Sequence, residues 1–241
     1  MRPHIQTNEY DHYKVVCDFD GTISRVDVTD GLLEAFAPLC WHEIEAQWKC
    51  GWISSKECML RQVELIDADL SSIDHLLSKI DIDPEFPDFV AECKNSGINV
   101  QIVSDGIGYA IKKILARYNL ESLSILANQL IVGKSNRFSL VSPYTSPDCN
   151  QGTCKCIPAN NIDGRILIVI GDGASDYCVA EKADIVFAKG ELIAHCRRFR
   201  IPHIPFSSFA DIRIQFRQLA ELNYISQPHS FNEHMEIIAN V

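Results

Sequence analysis

The stretch Tyr13-Lys14-Val15-Val16-Cys17-Asp18-Phe19-Asp20-Gly21-Thr22 decides how the rest of the chain is read. Its first half is a short apolar run and its second half turns polar at once, as a buried strand does on entering a turn. Asp18 ends the run, and Asp20, two residues on, can point the same way.

Beyond this stretch the texture becomes helical. Trp41, Ile44 and Trp48 recur at i, i+3 and i+7, with the two tryptophans read as core. Ser54 and Glu57 form a capping-box pattern ahead of Met59, Val63 and Ile66. Ile73, Leu76, Leu77 and Ile80 make another one-faced helix. Residues 24–82 are expected to form an all-helical module, with hinges near residues 22–25 and 80–85. Arg61 within it is either a grip for an anionic group or part of a solvated face.

Alternation of strands and helices then sets in. Asp83-Pro84 reads as an N-cap with proline in the first turn, Phe86, Phe89, Val90 and Cys93 share a face, and Gly97 ends the helix. A strand is expected over Asn99 to Ser104, followed by a helix carrying Ile107, Ile111, Ile114 and Leu115. Leu126 to Ile131 and Phe138 to Val141 read as a hairpin around Gly133-Lys134-Ser135-Asn136, with Lys134 at a solvated tip. Arg165 to Ile170 is a near-continuous apolar strand, and Ala183 to Phe187 is a further one. The fold class is therefore α/β: a doubly wound parallel sheet with right-handed crossovers, a Rossmann-like core of residues 1–23 and 83–241 with the helical cap of residues 24–82 inserted after the first strand.

The 241 residues carry a net charge of −10 and no basic stripe, which argues against a nucleic-acid surface. No apolar run approaches the roughly 20 residues that cross a bilayer, and the polar segment Met1 to Tyr13 lacks a signal peptide's apolar stretch. A cytoplasmic location away from membranes is expected, and the ten cysteines are read as reduced thiols. Cys17, Cys93 and Cys178 lie on apolar faces. Cys149, Cys154 and Cys156 are close in sequence, but their spacing is not a paired CxxC and no His follows at zinc-ligand distance. The eight histidines are scattered and none is assigned to catalysis.

Ligands of an open α/β sheet bind outside the carboxyl ends of its strands. Three such ends are polar: Asp18 to Thr22, Ser104-Asp105-Gly106, and Gly171-Asp172-Gly173-Ala174-Ser175-Asp176. Asp18, Asp20, Asp172 and Asp176 would converge there, and like charges so close call for a cation. Oxygen-only ligands suit Mg2+, which points to phosphoryl chemistry. Asp18 can act as nucleophile and Asp20 can protonate the leaving oxygen. The Ser104 hydroxyl, with backbone N–H groups nearby at Asp105 and Gly106, can hold phosphate oxygens, while the Asp105 side chain is read as a structural turn residue in preference to a second metal-site acid. Lys155 is the best-placed cation to balance charge at the nucleophile.

These residues resemble the four motifs of haloacid dehalogenase-type phosphatases: Asp18 to Thr22 the first, Ser104 the second, Lys155 the third and Gly171 to Asp176 the fourth. The resemblance implies an aspartyl-phosphate on Asp18, acid/base work by Asp20, phosphate contacts from Ser104 and Lys155, and Mg2+ held by Asp18, Asp172 and the Asp20 main-chain carbonyl with support from Asp176. The helical insert matches the cap of the phosphoserine phosphatase-like branch. Within it, Gly51-Trp52-Ile53-Ser54 with Glu57 and the cysteine-rich segment around Lys155 resemble the methionine-salvage phosphatases. The phosphoserine enzymes keep a Glu soon after the first motif, where this chain has Asp27 and no Glu until Glu34. The expected function is hydrolysis of a small phosphorylated metabolite. The alternatives are a phosphoserine or other phospho-acid phosphatase, a phosphomutase, or a non-catalytic phosphate-binding protein. Asp20 and the acidic fourth motif speak against a carbon–halogen hydrolase.

Overall fold

The structure, a computed structural model, describes residues 13–134, 137–160 and 164–221. The tail from residue 223 to 241 lies outside the described residues. Strand β1 (Tyr13–Cys17) is followed by four helices, α1 (Val28–Phe36), α2 (Trp41–Lys49), α3 (Ser55–Val63) and α4 (Leu70–Leu77). Then come α5 (Phe86–Asn95), β2 (Asn99–Ile107), α6 (Gly108–Ala116), β3 (Ser124–Val132), β4 (Phe138–Val141) and α7 (Cys156–Asn160). The chain continues through β5 (Ile166–Gly171), α8 (Tyr177–Ala180), β6 (Ile185–Ala188), α9 (Gly190–Phe199), β7 (Ile204–Pro205) and α10 (Phe209–Glu221). The strands form one seven-stranded sheet in the order β4-β3-β2-β1-β5-β6-β7. β2 with β3, β5 with β6 and β6 with β7 run parallel, and the edge strand β4 is antiparallel to its neighbour β3. Every residue of β1 and β6 is buried, as expected for strands covered on both faces.

The chain divides into two compact units, residues 17–83 with 101–157, and the remainder. In the first, polar side chains start the helices where the sequence supplies them. Asp27 caps α1 by accepting from Asp30 N, Ser54 caps α3 by accepting from Glu57 N (3.1 Å), and Asp69 caps α4 by accepting from Ser72 N (2.7 Å). Helix α4 is tied to α6: Asp74 accepts from the Tyr109 hydroxyl and from Lys113 Nζ, both at 2.6 Å, and Arg117 donates to Ile80 O at 2.6 Å. The two stretches that lead into and out of the helical segment pair with each other, Ser24 bridging Ile82 antiparallel and Asp83 N donating to Ile23 O at 2.8 Å.

That pairing corrects one expectation. The next helix starts at Phe86 with Glu85 as N-cap and proline in its first turn, two residues beyond the N-cap expected at Asp83, which is buried next to the bridge. A second correction concerns β2, which runs through Ser104 to Ile107 with a register shift between Val103 and Ile107. Ile107 therefore ends the strand and does not belong to α6. The bulge re-aims the polar triplet Ser104-Asp105-Gly106, a known use of an irregular strand end beside a site.

In the second unit, an aromatic cluster joins α5 to α10. Phe209 is fully buried, edge-on to Phe86 at 4.8 Å between ring centroids and 5.2 Å from Phe89. Arg213, one turn further on, donates to Glu92 at 2.7 Å and to Asp88 at 3.1 Å, and also meets Glu85. Phe209→Ala would open a cavity that its close-packed neighbours cannot refill. We expect it to destabilise the protein by about 3–5 kcal/mol in urea unfolding.

Candidate active site

β1 delivers Asp18 at its end, where the side chain is buried and its Oδ1 lies 2.8 Å from Lys155 Nζ. Lys155 itself is 1% exposed. A fully buried lysine against a buried carboxylate is rare without a purpose, because removing both charges from water is expensive. The Asp18 backbone passes into a tight turn in which Phe19 O accepts from the N–H groups of Thr22, Ile23 and Ser24. This turn points Asp20 back toward the strand end.

Asp20 is held from two sides. Its Oδ1 accepts from Val28 N at 2.9 Å, at the start of α1, and its Oδ2 accepts from Ser104 Oγ at 3.3 Å. Ser104 Oγ in turn accepts from Gly106 N at 2.9 Å. Burial, and next the negative charge of Asp27, push the Asp20 carboxyl up to about 7, against the opposing pull of the Val28 N–H, Ser104 and Lys155. A carboxyl that carries its proton near neutrality has the character a general acid needs.

A side chain at position 106 would overlap Asp20 Oδ2 and crowd Ser104 Oγ at 3.1 Å. Gly106→Ala must therefore displace Asp20 or Ser104. We expect a loss of at least about tenfold in kcat with little change in thermal midpoint, measured on purified variant and parent.

The fourth-motif loop is built in the same manner. Asp176 is 1% exposed, and its Oδ2 accepts from Asp172 N (3.1 Å) and Gly173 N (3.3 Å). A Cβ at Gly171 would collide with the Asp176 carboxylate, so the glycine permits this close packing. Asp172 O accepts from Leu192 N at 2.8 Å, which fixes the loop to α9. Asp18, Asp172 and Asp176 each offer a carboxylate oxygen within 4.8 Å of the others, and they form the one group of His, Cys, Asp or Glu among the described residues able to hold a metal ion. An all-oxygen anionic set fits Mg2+. The Asp20 carboxylate is not part of that group, the contact expected of Asp20 being its main-chain carbonyl, and Cys149, Cys154 and Cys156 do not form a second one among the described residues. The ten cysteines are free thiols, with burial first and Cys149 next pushing the Cys154 thiol up to about 11.

Other sequence-derived candidates lie elsewhere in their environments. The Asp105 carboxylate is turned to Ser55, Thr153 N and Asn128. Arg61 is exposed and pairs with Glu57 at 2.7 Å, and Lys134 is exposed. Sequence reasoning missed Val28 N as the clamp on Asp20 and missed Asp27 as its electrostatic neighbour. It also missed Asn128, a fully buried amide within the apolar strand β3; its place in the run Leu126-Ala127-Asn128 was the available signal. Val26, Asp27, Asp30, Phe36, Leu76 and Ile80 are among the residues that line a cavity of about 1030 Å³ in the helical segment.

A strand-end carboxylate paired with a buried lysine, an acid two residues on and an acidic group able to hold a metal, all on a largely parallel α/β sheet, define the site of a phosphatase. The chain belongs to the family described as "Putative Phosphatase", whose model matches residues 13–195. It is 30% identical over 203 residues to a 2-hydroxy-3-keto-5-methylthiopentenyl-1-phosphate phosphatase of Brevibacillus brevis, covering 81% of this chain and 91% of that one. It is 31% identical to the protein of the same name from an Exiguobacterium species, covering 82% and 94%. A substrate-bound phosphoserine phosphatase structure shares the fold with a TM-score of 0.58 at 19% identity, over 75% of this chain and 88% of that one. Among the described residues no helix is long and apolar enough to cross a membrane.

Proposed function

We propose that this phosphatase is a Mg2+-dependent phosphomonoester hydrolase that works through an aspartyl-phosphate on Asp18. The observation that carries the reading is the buried pair of Asp18 and Lys155 beside an Asp20 already hydrogen-bonded to Ser104. Asp18 attacks the phosphorus while Lys155 offsets charge on the transferring group, and the Ser104 hydroxyl with the Gly106 N–H holds equatorial oxygens. Asp20, carrying its proton, hands it to the departing ester oxygen. In the second step it takes a proton from the water that attacks the aspartyl-phosphate, which returns Asp18 free with release of inorganic phosphate. Asp18, Asp172 and the Asp20 main-chain carbonyl would hold the Mg2+ with support from Asp176, and its charge would offset that of the phosphate and of the three acids that lie so close together.

The substrate proposed is 2-hydroxy-3-keto-5-methylthiopentenyl-1-phosphate, in the cytoplasm. Support comes from the relatives at 30% and 31% identity that carry this name over most of their length. Helices α1–α4 are proposed to act as the cap that selects it, and the apolar members of their cavity, Val26, Phe36, Leu76 and Ile80, suit a methylthio group. The test is phosphate release from this compound, phosphoserine and p-nitrophenyl phosphate, with Mg2+ and with EDTA. Preference for the methylthio compound and loss of turnover in EDTA are expected. Preference for phosphoserine would replace the substrate and leave the mechanism standing, whereas equal rates in EDTA would remove the metal from it.

A further inference from the structure

The carboxylate beside Ser104 is not free to meet a phosphate, and its negative charge would repel one. Asp105 Oδ1 accepts from Thr153 N at 2.8 Å, and Oδ2 accepts from Ser55 Oγ. Asn128 Nδ2 donates to the Asp105 carbonyl, and Asn128 Oδ1 accepts from Ser142 Oγ at 2.6 Å. Ser55 is the first residue of α3, and Thr153 stands two residues before Lys155. Ser55, Asn128, Thr153 and Lys155 are all buried. The loop approaches so closely that a Cβ at Gly152 would lie 2.6 Å from Asp105 Oδ1 and 2.9 Å from Asn128 Oδ1. One carboxylate thus fastens together a helix of the cap segment and the backbone that presents Lys155 to Asp18.

We propose that Asp105 is a positioning residue which, through Ser55 and Thr153, makes the placement of Lys155 on Asp18 depend on the docking of helix α3. The inference rests on the phosphatase reading above and assigns to Asp105 a task other than contact with substrate. With the bond to Ser55 in place, both carboxylate oxygens are anchored and the 152–155 backbone is held. Without it, the carboxylate can rotate and the loop loses its fixed acceptor. Closure of the cap and assembly of the charged pair are then one event, which confines catalysis to the closed, water-excluding form.

The full chain would be compared with Ser55→Ala, Ser55→Thr, Asp105→Ala and the Ser55→Ala/Asp105→Ala double variant. The readouts are Mg2+-supported hydrolysis of p-nitrophenyl phosphate and hydrogen exchange in peptides spanning residues 150–156. We expect Ser55→Ala and Asp105→Ala each to lower kcat on the order of tenfold or more with KM changed less than kcat, and Ser55→Thr to retain the parental rate. The double variant should be no slower than Asp105→Ala alone, since both changes break one linkage. Exchange at residues 150–156 should rise in both alanine variants. Multiplying losses in the double variant, a parental kcat in Asp105→Ala, or unchanged exchange in a folded variant would overturn the proposal. If the parent itself hydrolyses nothing, the phosphatase reading fails and the exchange result alone decides the linkage: faster exchange supports it and unchanged exchange refutes it.

Discussion

Asp18→Asn is expected to reduce phosphate release on the order of 10⁴-fold or more while leaving the fold intact. The amide is nearly isosteric with the carboxylate, so the buried position and its neighbours can be kept. It is, however, a poor nucleophile and carries no charge to pair with Lys155 at 2.8 Å. A loss of this size would not follow from weakened binding, because the phosphate contacts proposed for Ser104 and Lys155 would persist. The measurement is steady-state phosphate release from p-nitrophenyl phosphate with saturating Mg2+, and circular dichroism on the same preparation checks that the variant is folded. Activity within tenfold of the parent would assign the nucleophile elsewhere.

The second large effect is expected at Lys155. Lys155→Met keeps much of the side-chain volume and removes the cation that faces Asp18 in a site closed to water. There a fixed charge acts with far less screening than at the surface, and we expect kcat to fall on the order of 10²–10³-fold. Lys155→Arg should not restore it, since the site has no room for a planar guanidinium around a side chain that is already 1% exposed. Kinetics of the three proteins at one pH check both expectations, and a fully active arginine variant would contradict the packing on which they stand.

Much of this was legible in the sequence because the decisive residues lie at the ends of strongly apolar strands. The run from Tyr13 to Cys17 and the run from Ile166 to Gly171 announce buried strands, and Asp18, Asp172 and Asp176, which follow them in sequence, make up the acidic group able to hold a metal. The helix start at Ser54 was written in local capping chemistry, a short-range signal of the kind one sequence can carry. What escaped was long-range. Asp83 looked like a helix cap because its local context was Asp-Pro, yet a partner sixty residues earlier, Ile23, claims its backbone. Ile107 looked helical by spacing, but pairing with β3 keeps it in the strand. The meeting of Asp105 with Ser55 and Thr153 spans about fifty residues on either side, and periodicity holds no trace of it. The hold of Val28 N on Asp20 is a main-chain contact, so no choice of side chain could announce it.

The most direct test of the mechanism is rapid-quench capture of the phosphorylated enzyme, followed by mass spectrometry of the peptide that contains Asp18. With Mg2+ and substrate, the account predicts a transient gain of one phosphoryl group on that peptide, formed and lost at rates that match phosphate release and absent from Asp18→Asn. Turnover at the parental rate with the peptide never phosphorylated, or the phosphoryl group found on another residue, would contradict it.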